Sequence, residues 1–259
     1  MTECCLMDEA GNPMINPFSE DYLKSEIEWY KPENYDINGL TVKSKQISGR
    51  CDDFFNKNFR IKEEGSPYCP ILSLDGRIQM SLTFMEVQSM YLPIFLAEGY
   101  VATSGLGMGY FPMRVAENDS VYSVDIYEID QRVIDYFNHH FSKREGFNKI
   151  NIIKGDVRET LKGKEYDFMF ADHYPDMLDD VVIPDFELIT TNNKIGHYYF
   201  WGQERIILQY RMDGYTDVSL EWYESELFRQ WFESEDHDMY NPVEGHEFVE
   251  DALTLMKRI

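Results

Sequence analysis

The segment Ser104-Gly105-Leu106-Gly107-Met108-Gly109 places three glycines at alternate positions. Glycines so spaced let a chain turn sharply and bring its backbone close to a ligand. A helix opening just afterwards offers unpaired N–H groups and the positive end of its dipole to an anion. Carboxylates then recur at the ends of three later apolar segments. The first is Asp125-Ile126-Tyr127-Glu128-Ile129-Asp130, where Glu128 suits a pair of ribose hydroxyls as hydrogen-bond acceptor. Asp125 and Asp130 are the alternatives, and either also reads as a solvated loop charge or the cap of the next helix. The second is Gly155-Asp156-Val157, in which Asp156 suits an exocyclic adenine amine with Val157 as its apolar neighbour. Asp156 reads equally as a helix cap ahead of Arg158-Glu159. The third is Phe170-Ala171-Asp172-His173-Tyr174-Pro175-Asp176. Asp172 falls at the reacting end of such a ligand, where a carboxylate orients or deprotonates an attacking amine or hydroxyl. A turn cap with Pro175 and Asp176 is its other reading.

These residues need a scaffold, and the hydrophobic pattern supplies one. From Tyr100 onward, strand-like runs (Tyr100–Ala102, Val121–Ile126, Ile150–Ile153, Tyr166–Ala171) alternate with helical ones (Tyr110–Glu117, Gln131–Phe141) and a short connection at Arg158–Leu161. That alternation predicts an α/β fold, a doubly wound and mostly parallel sheet with ligands beyond the carboxyl ends of its strands. Pro112 falls in the first turn of its helix, where a missing N–H costs little. Further on, Ile183–Ile189 reads as a helix, His197–Trp201 as a strand, and Leu220–Phe232 and Glu247–Met256 as helices.

Before Tyr100 the pattern differs. Residues up to about Pro17 read as a loose tail, Asp21–Tyr30 as a short helix ended before Pro32, and Gly39–Ile47 as a strand. Pro70 to Met80 reads as two strands around Asp75-Gly76, a hairpin dipeptide. Phe84–Ala97, capped by Thr83, reads as one helix. The expected division is a small β-containing region over 1–98 and the nucleotide-binding domain over 99–259.

Composition narrows the partners. The chain of 259 residues carries a formal charge of −23, which repels phosphate backbones and anionic lipid. Nucleic acid is not expected as a partner. A neutral or cationic small molecule is easier to accommodate, and a homo-oligomer is left open. Cys4, Cys5, Cys51 and Cys69 form no Cys-x-x-Cys pair, no basic leader opens the chain, and no apolar run approaches membrane-spanning length. A cytoplasmic setting with reduced thiols is the expectation. The His139-His140 pair has no partner at metal-ligand spacing, and His237 and His246 form no zinc motif, so no metal is expected. The aromatic runs Tyr198–Trp201 and Trp222–Phe232 read as core packing.

Together the glycines and carboxylates resemble the class I S-adenosylmethionine-dependent methyltransferase superfamily over about Tyr100 to Leu188. Within it the chain looks most like the spermidine-synthase-like branch. Leu74-Asp75-Gly76-Arg77-Ile78-Gln79 matches the strand before that branch's first core helix, Glu128-Ile129-Asp130 its Glu-Ile-Asp, and Gly155-Asp156 its Gly-Asp. The resemblance implies a Rossmann-like methyltransferase fold and S-adenosylmethionine as cofactor. It implies cofactor contacts at Gly105, Gly107, Gly109, Glu128, Asp156 and Val157, substrate contacts at Gln79 and Tyr174, and a catalytic carboxylate at Asp172. Methyl transfer to a small molecule is the first expectation. Aminopropyl transfer to a polyamine, or a non-catalytic binding protein, are the alternatives. The chain departs from the branch where Met80–Glu86 lacks its Asp-Glu pair, where Met108 replaces a loop acid, and at Asp172-His173-Tyr174-Pro175-Asp176.

Overall fold

The computed structural model describes residues 20–47, 49–51, 59–61, 67–175, 179–216 and 221–234. It divides into two compact units, Met1–Tyr91 and Leu92–Ile259. Readings that fall on Met1 to Pro17, on Glu247–Met256, or on His237 and His246 lie outside the described residues.

In the first unit, α1 (Glu20–Tyr30) precedes β1 (Tyr35–Ile37) and β2 (Leu40–Gln46). β3 (Gly49–Cys51) pairs with β4 (Phe59–Ile61). β5 (Tyr68–Leu74) and β6 (Arg77–Ser81) join β1 and β2 in an antiparallel sheet of order β1-β2-β5-β6. Asp75 and Gly76 connect β5 to β6 with φ of 50° and 80°, the positive pair that the two-residue hairpin turn requires. The helix expected over Phe84–Ala97 is instead two, α2 (Phe84–Ser89) in this unit and α3 (Tyr91–Leu96), all of which but Tyr91 belongs to the second. Pro93 has no N–H to return to the carbonyl of Ser89, so the ladder breaks there. Thr83 is the N-cap residue of α2, but its side chain makes no capping bond.

The second unit is built on β7 (Gly99–Ser104), α4 (Tyr110–Ala116), β8 (Val121–Glu128), α5 (Gln131–Phe141), β9 (Ile150–Lys154), α6 (Val157–Thr160), β10 (Glu165–Ala171), α7 (Val182–Asn192), β11 (Lys194–Phe200), α8 (Gln203–Met212) and α9 (Glu226–Glu233). The five strands form a parallel sheet of order β11-β10-β7-β8-β9. The chain winds outward from β7 through β8 to β9, then returns to the other side of β7 with β10. The order therefore reverses between β7 and β10, and that switch point is where doubly wound sheets open a crevice at their carboxyl ends.

Both faces of the sheet are covered. On one, Phe111 of α4 lies 4.5 Å from Phe170 of β10 between ring centroids, and Phe170 adjoins Tyr199 of β11. On the other, Phe186 of α7 meets Tyr198 of β11 and Trp222. The Tyr198-Tyr199-Phe200 run is buried, as is Trp222, with Phe228 and Phe232 packed around it. The aromatic runs are thus core, and His140 stacks on Tyr136 within α5. α8, which the sequence pattern did not announce, starts from Gly202 at φ 83°. The helix expected over Leu220–Phe232 is a 3-10 turn, Trp222–Glu224, followed by α9. Among the described residues, no helix is long and apolar enough to cross a membrane.

Candidate functional site

Within the second unit, the glycine loop, Glu128, Asp130, Asp156, Val157, Asp172 and Tyr174 lie at or just beyond the carboxyl ends of the parallel strands, and Asp125 lies inside β8. Gln79 is exposed on β6 in the other unit.

The glycine loop joins β7 to α4. Gly105, Gly107 and Gly109 have φ of 87°, 50° and 77°, the left-handed region that glycine enters without penalty. Two of them are also demanded by packing. A Cβ on Gly105 would stand 2.1 Å from the carbonyl oxygen of Asp172, and one on Gly109 would stand 2.3 Å from the Phe137 ring of α5. Gly109 therefore serves the close approach of α5 as well as the turn into α4. Met108, at the position of the branch's loop acid, is fully buried.

Glu128 ends β8 and reaches under this loop. Its Oε2 accepts from the Leu106 N–H at 2.9 Å and its Oε1 from the Asp130 N–H at 2.7 Å. The residue is 8% exposed. Burial pushes its carboxyl pKa up, against the opposing pull of the N–H groups of Asp130, Leu106 and Ile129. Its two alternatives have local duties. Asp130 caps α5 through the Arg132 N–H and pairs with the Arg132 guanidinium at 2.6 Å. Asp125 accepts from the hydroxyl of Tyr166 and the amide of Asn151.

Asp156 follows β9 and caps α6, its Oδ1 accepting from the Arg158 N–H at 2.9 Å. The cap reading is therefore realised. Its Oδ2 lies 3.5 Å from the Arg158 guanidinium, the side chain is 39% exposed, and Val157 beside it is buried. A carboxylate oxygen has two acceptor positions, so Asp156 and Glu128 both retain capacity for further donors.

Asp172 follows β10, and its N–H donates to the carbonyl of Ser104 at 2.9 Å, stitching the ends of β10 and β7 together at the switch point. Tyr174 is turned inward. It is 8% exposed, its hydroxyl lies 3.2 Å from that of Tyr198, and burial raises its pKa well above the phenol range.

Sequence reasoning missed one cluster. The Oγ of Ser104 lies 2.6 Å from Nδ1 of His173, and Nε2 of that ring lies 2.9 Å from Oδ2 of Asp185. Asp185 also accepts from Nε and Nη2 of Arg158, each at 2.8 Å. Burial would raise the Asp185 pKa, but the His173 and Arg158 hydrogen bonds outweigh it and hold the carboxyl below its usual value. No local motif carries this cluster, because its members come from β7, the loop after β10, α7 and α6.

No family model matches the chain, and no curated protein matches it. Among solved structures it is similar to the spermidine synthase of Thermotoga maritima, at 16% identity and a TM-score of 0.40 over 62% of this chain and 53% of that one. It is also similar to a precorrin 8w decarboxylase from Methanobacterium thermoautotrophicum, at 19% identity and a TM-score of 0.38 over 52% and 74%. A third is a glycopeptide N-methyltransferase complexed with (S)-adenosyl-L-methionine, at 13% identity and a TM-score of 0.34 over 40% and 47%. The chain spans about half the length of the spermidine synthase and of the glycopeptide enzyme that it matches.

Proposed function

We propose that the Leu92–Ile259 unit binds S-adenosylmethionine at the carboxyl end of its parallel sheet and transfers a group, most simply methyl, to a small-molecule acceptor. The observation that carries this reading is the joining of the glycine loop to the β8 acid. The Leu106 N–H bonds Glu128, so the turn suited to a ligand's chain and the carboxylate suited to a ribose lie side by side.

The donor set fits an adenosyl group. Glu128 offers acceptor positions to a vicinal diol, and Asp156 offers an acceptor beside buried Val157 to an exocyclic amine and a flat base. Gly105 and Gly107 bring backbone within reach of the tail. When bound, S-adenosylmethionine supplies a carbon made electrophilic by its sulfonium. The chain's own task is alignment of the acceptor with that carbon, which proximity and orientation accomplish. Asp172, one residue past β10, orients the acceptor. An acidic protein suits a cationic or neutral acceptor.

A thermal-shift comparison of S-adenosylmethionine, its decarboxylated form, S-adenosylhomocysteine, methylthioadenosine and NAD tests the reading. A ligand that binds only the native state raises its apparent stability. S-adenosylmethionine and S-adenosylhomocysteine are expected to raise it and NAD to leave it unchanged. A larger rise with the decarboxylated form than with the intact one moves the assignment to aminopropyl transfer. No response to any adenosyl compound removes it. Binding without turnover over a broad acceptor panel points to a non-catalytic binding protein.

A further inference from the structure

β9 ends the parallel sheet, and among the described residues it has a strand neighbour on one side only. The N–H of Gly155, just past it, donates to the carbonyl of Glu128 on β8 at 3.0 Å. Backbone groups alternate along a strand, so Ile153 and Asn151 face β8 in the same way. Ile152 and Lys154 then turn their N–H and C=O to the open edge. The side chains of these two residues line a groove of about 400 Å³ between β9 and α5. Ile134, Phe147 and Ile150 add apolar wall to Ile152, and Gln131 and Asn138 are exposed beside them on α5. Charge sets this edge apart. The whole chain has a formal charge of −23, yet Ser142 to Gly155 holds Lys143, Arg144, Lys149 and Lys154 against the one acid Glu145. Lys143 and Lys154 are exposed, and Lys149 donates to the neutral carbonyl of Asn118. Acids on the neighbouring elements are engaged within the fold, Asp125 by Tyr166 and Asn151, Asp130 by Arg132, and Asp135 by Gln131.

We infer that the open edge of β9 and the groove beside it form a docking surface for an extended acidic segment of a partner protein. The segment adds a strand to the sheet and exchanges hydrogen bonds with the N–H and C=O groups of Ile152 and Lys154. Its alternate apolar side chains enter the groove, and its carboxylates meet Lys149 and Lys154 at the two ends of the strand. Charge favours such a segment over a second copy of this chain. Two β9 edges paired antiparallel about Ile152 bring Lys149 of each copy up to Lys154 of the other, and like charges across strands destabilise a pair. Lysines on an edge strand also discourage indiscriminate pairing, so the strand that docks is one that brings negative charge. The inference does not depend on what the carboxyl end of the sheet binds.

The probe is a capped, fluorescently labelled peptide, Val-Glu-Val-Glu-Val-Glu-Val, titrated with the full chain and followed by anisotropy. It should bind at least about tenfold more tightly than its analogue with lysine for glutamate. It should also exceed the analogue with glycine for valine by at least about threefold, because only the former fills the groove. Lys149→Glu with Lys154→Glu should weaken binding about tenfold, and the milder Lys149→Gln with Lys154→Gln about threefold. A second measurement uses the wild-type chain and so stands even where a variant fails to fold. With the peptide at about ten times its dissociation constant, amide exchange at Ile152 and Lys154, read by NMR, should slow about tenfold. Exchange at Asn151 and Ile153, already bonded to β8, should not change. Equal binding of the glutamate and lysine peptides overturns the inference, as does exchange at Ile152 and Lys154 that the peptide leaves unslowed. Equal binding of the valine and glycine peptides removes the groove from it. Slowed exchange at the same two amides in the free chain as protein concentration rises, with a dimer in sedimentation, assigns the edge to a second copy and overturns it as well.

Discussion

The backbone N–H of Leu106 and the carboxylate of Glu128 are 2.9 Å apart, and that bond ties the loop after β7 to the end of β8. The other carboxylate oxygen holds the N–H of Asp130 at the start of α5. One side chain thus fixes the entrance to two successive strand–helix turns. This explains a carboxylate at 8% exposure that accepts from backbone N–H groups. Buried anions are tolerated where backbone donors compensate them.

Glu128→Gln tests that dual role. The amide presents an NH2 to one of the two N–H groups, leaving a buried donor unsatisfied at a cost of about 1–3 kcal/mol. The fold should survive, with a lowered denaturant midpoint. Affinity for S-adenosylmethionine should fall at least about tenfold, equivalent to about 1.4 kcal/mol. A variant destabilised as stated but with wild-type affinity by calorimetry would confine Glu128 to loop anchoring.

The α/β core was legible because each of its strands is a short apolar run closed by glycine or an acid, and α4 and α5 have clear helical spacing. The break at Met90 was not. Its cause, Pro93, sits three residues inside a run whose apolar spacing continues unbroken. α8 was hidden for the opposite reason, since Gly202-Gln203-Glu204-Arg205 reads as a polar loop until Gly202 is seen in the left-handed conformation. Of the candidate site, the carboxylates at strand ends were readable from local order. The partnership of Ser104 and His173, 69 positions apart, depends on β10 returning to the side of β7, which no local pattern specifies.

Gly105 and Gly163 separate backbone strain from collision. Both have positive φ, but a Cβ at Gly163 meets nothing within 4 Å, whereas one at Gly105 meets the Asp172 backbone oxygen at 2.1 Å. Gly163→Ala should cost about 1–2 kcal/mol, the left-handed penalty alone. That corresponds to a melting-point loss of roughly 2–8 °C for a domain of this size. Gly105→Ala adds displacement of the strand end and should cost at least about 2 kcal/mol more. Equal melting temperatures for the two variants would show that the β7 and β10 ends separate freely.

Arg158→Met probes the pair with Asp185. The Asp185 side chain is 7% exposed and the Arg158 side chain 37%. Removing a partner from a buried ion pair costs about 3–5 kcal/mol, and solvent at the guanidinium reduces that to about 1–3 kcal/mol. Asp185 has a lowered folded-state pKa. The stability it contributes is present above the ordinary carboxylate value and is lost as pH falls through the folded value. The gap between wild type and variant in urea midpoint should therefore be full near neutrality and shrink below about pH 4. A gap that stays constant into acid would assign the loss to packing of the arginine stem.

Glu204 should make the protein less stable as pH rises, the reverse of the Asp185 case. It lies in the first turn of α8 at 2% exposure, its Oε2 accepts from the Tyr199 hydroxyl at 2.6 Å, and its Oε1 has no hydrogen-bond partner among the described residues. Burial raises its pKa from 4.5 to about 7, against the smaller lowering effects of the Tyr199 bond and its own backbone N–H. A raised folded value means that the native state holds the proton longer than the unfolded chain. Stability is therefore undiminished below the unfolded value and falls as pH climbs from 4.5 through about 7. Over that window the loss is at most about 3 kcal/mol. Glu204→Gln cannot ionise, so its stability relative to wild type should improve by up to that amount between the two ends. Its absolute level is a separate matter, because the new NH2 in place of Oε1 is a buried donor costing about 1–3 kcal/mol. The slope rather than the level decides the question, and urea titrations of both proteins across the window measure it. Parallel pH curves would mean that water or a neighbouring donor already reaches the Glu204 carboxylate.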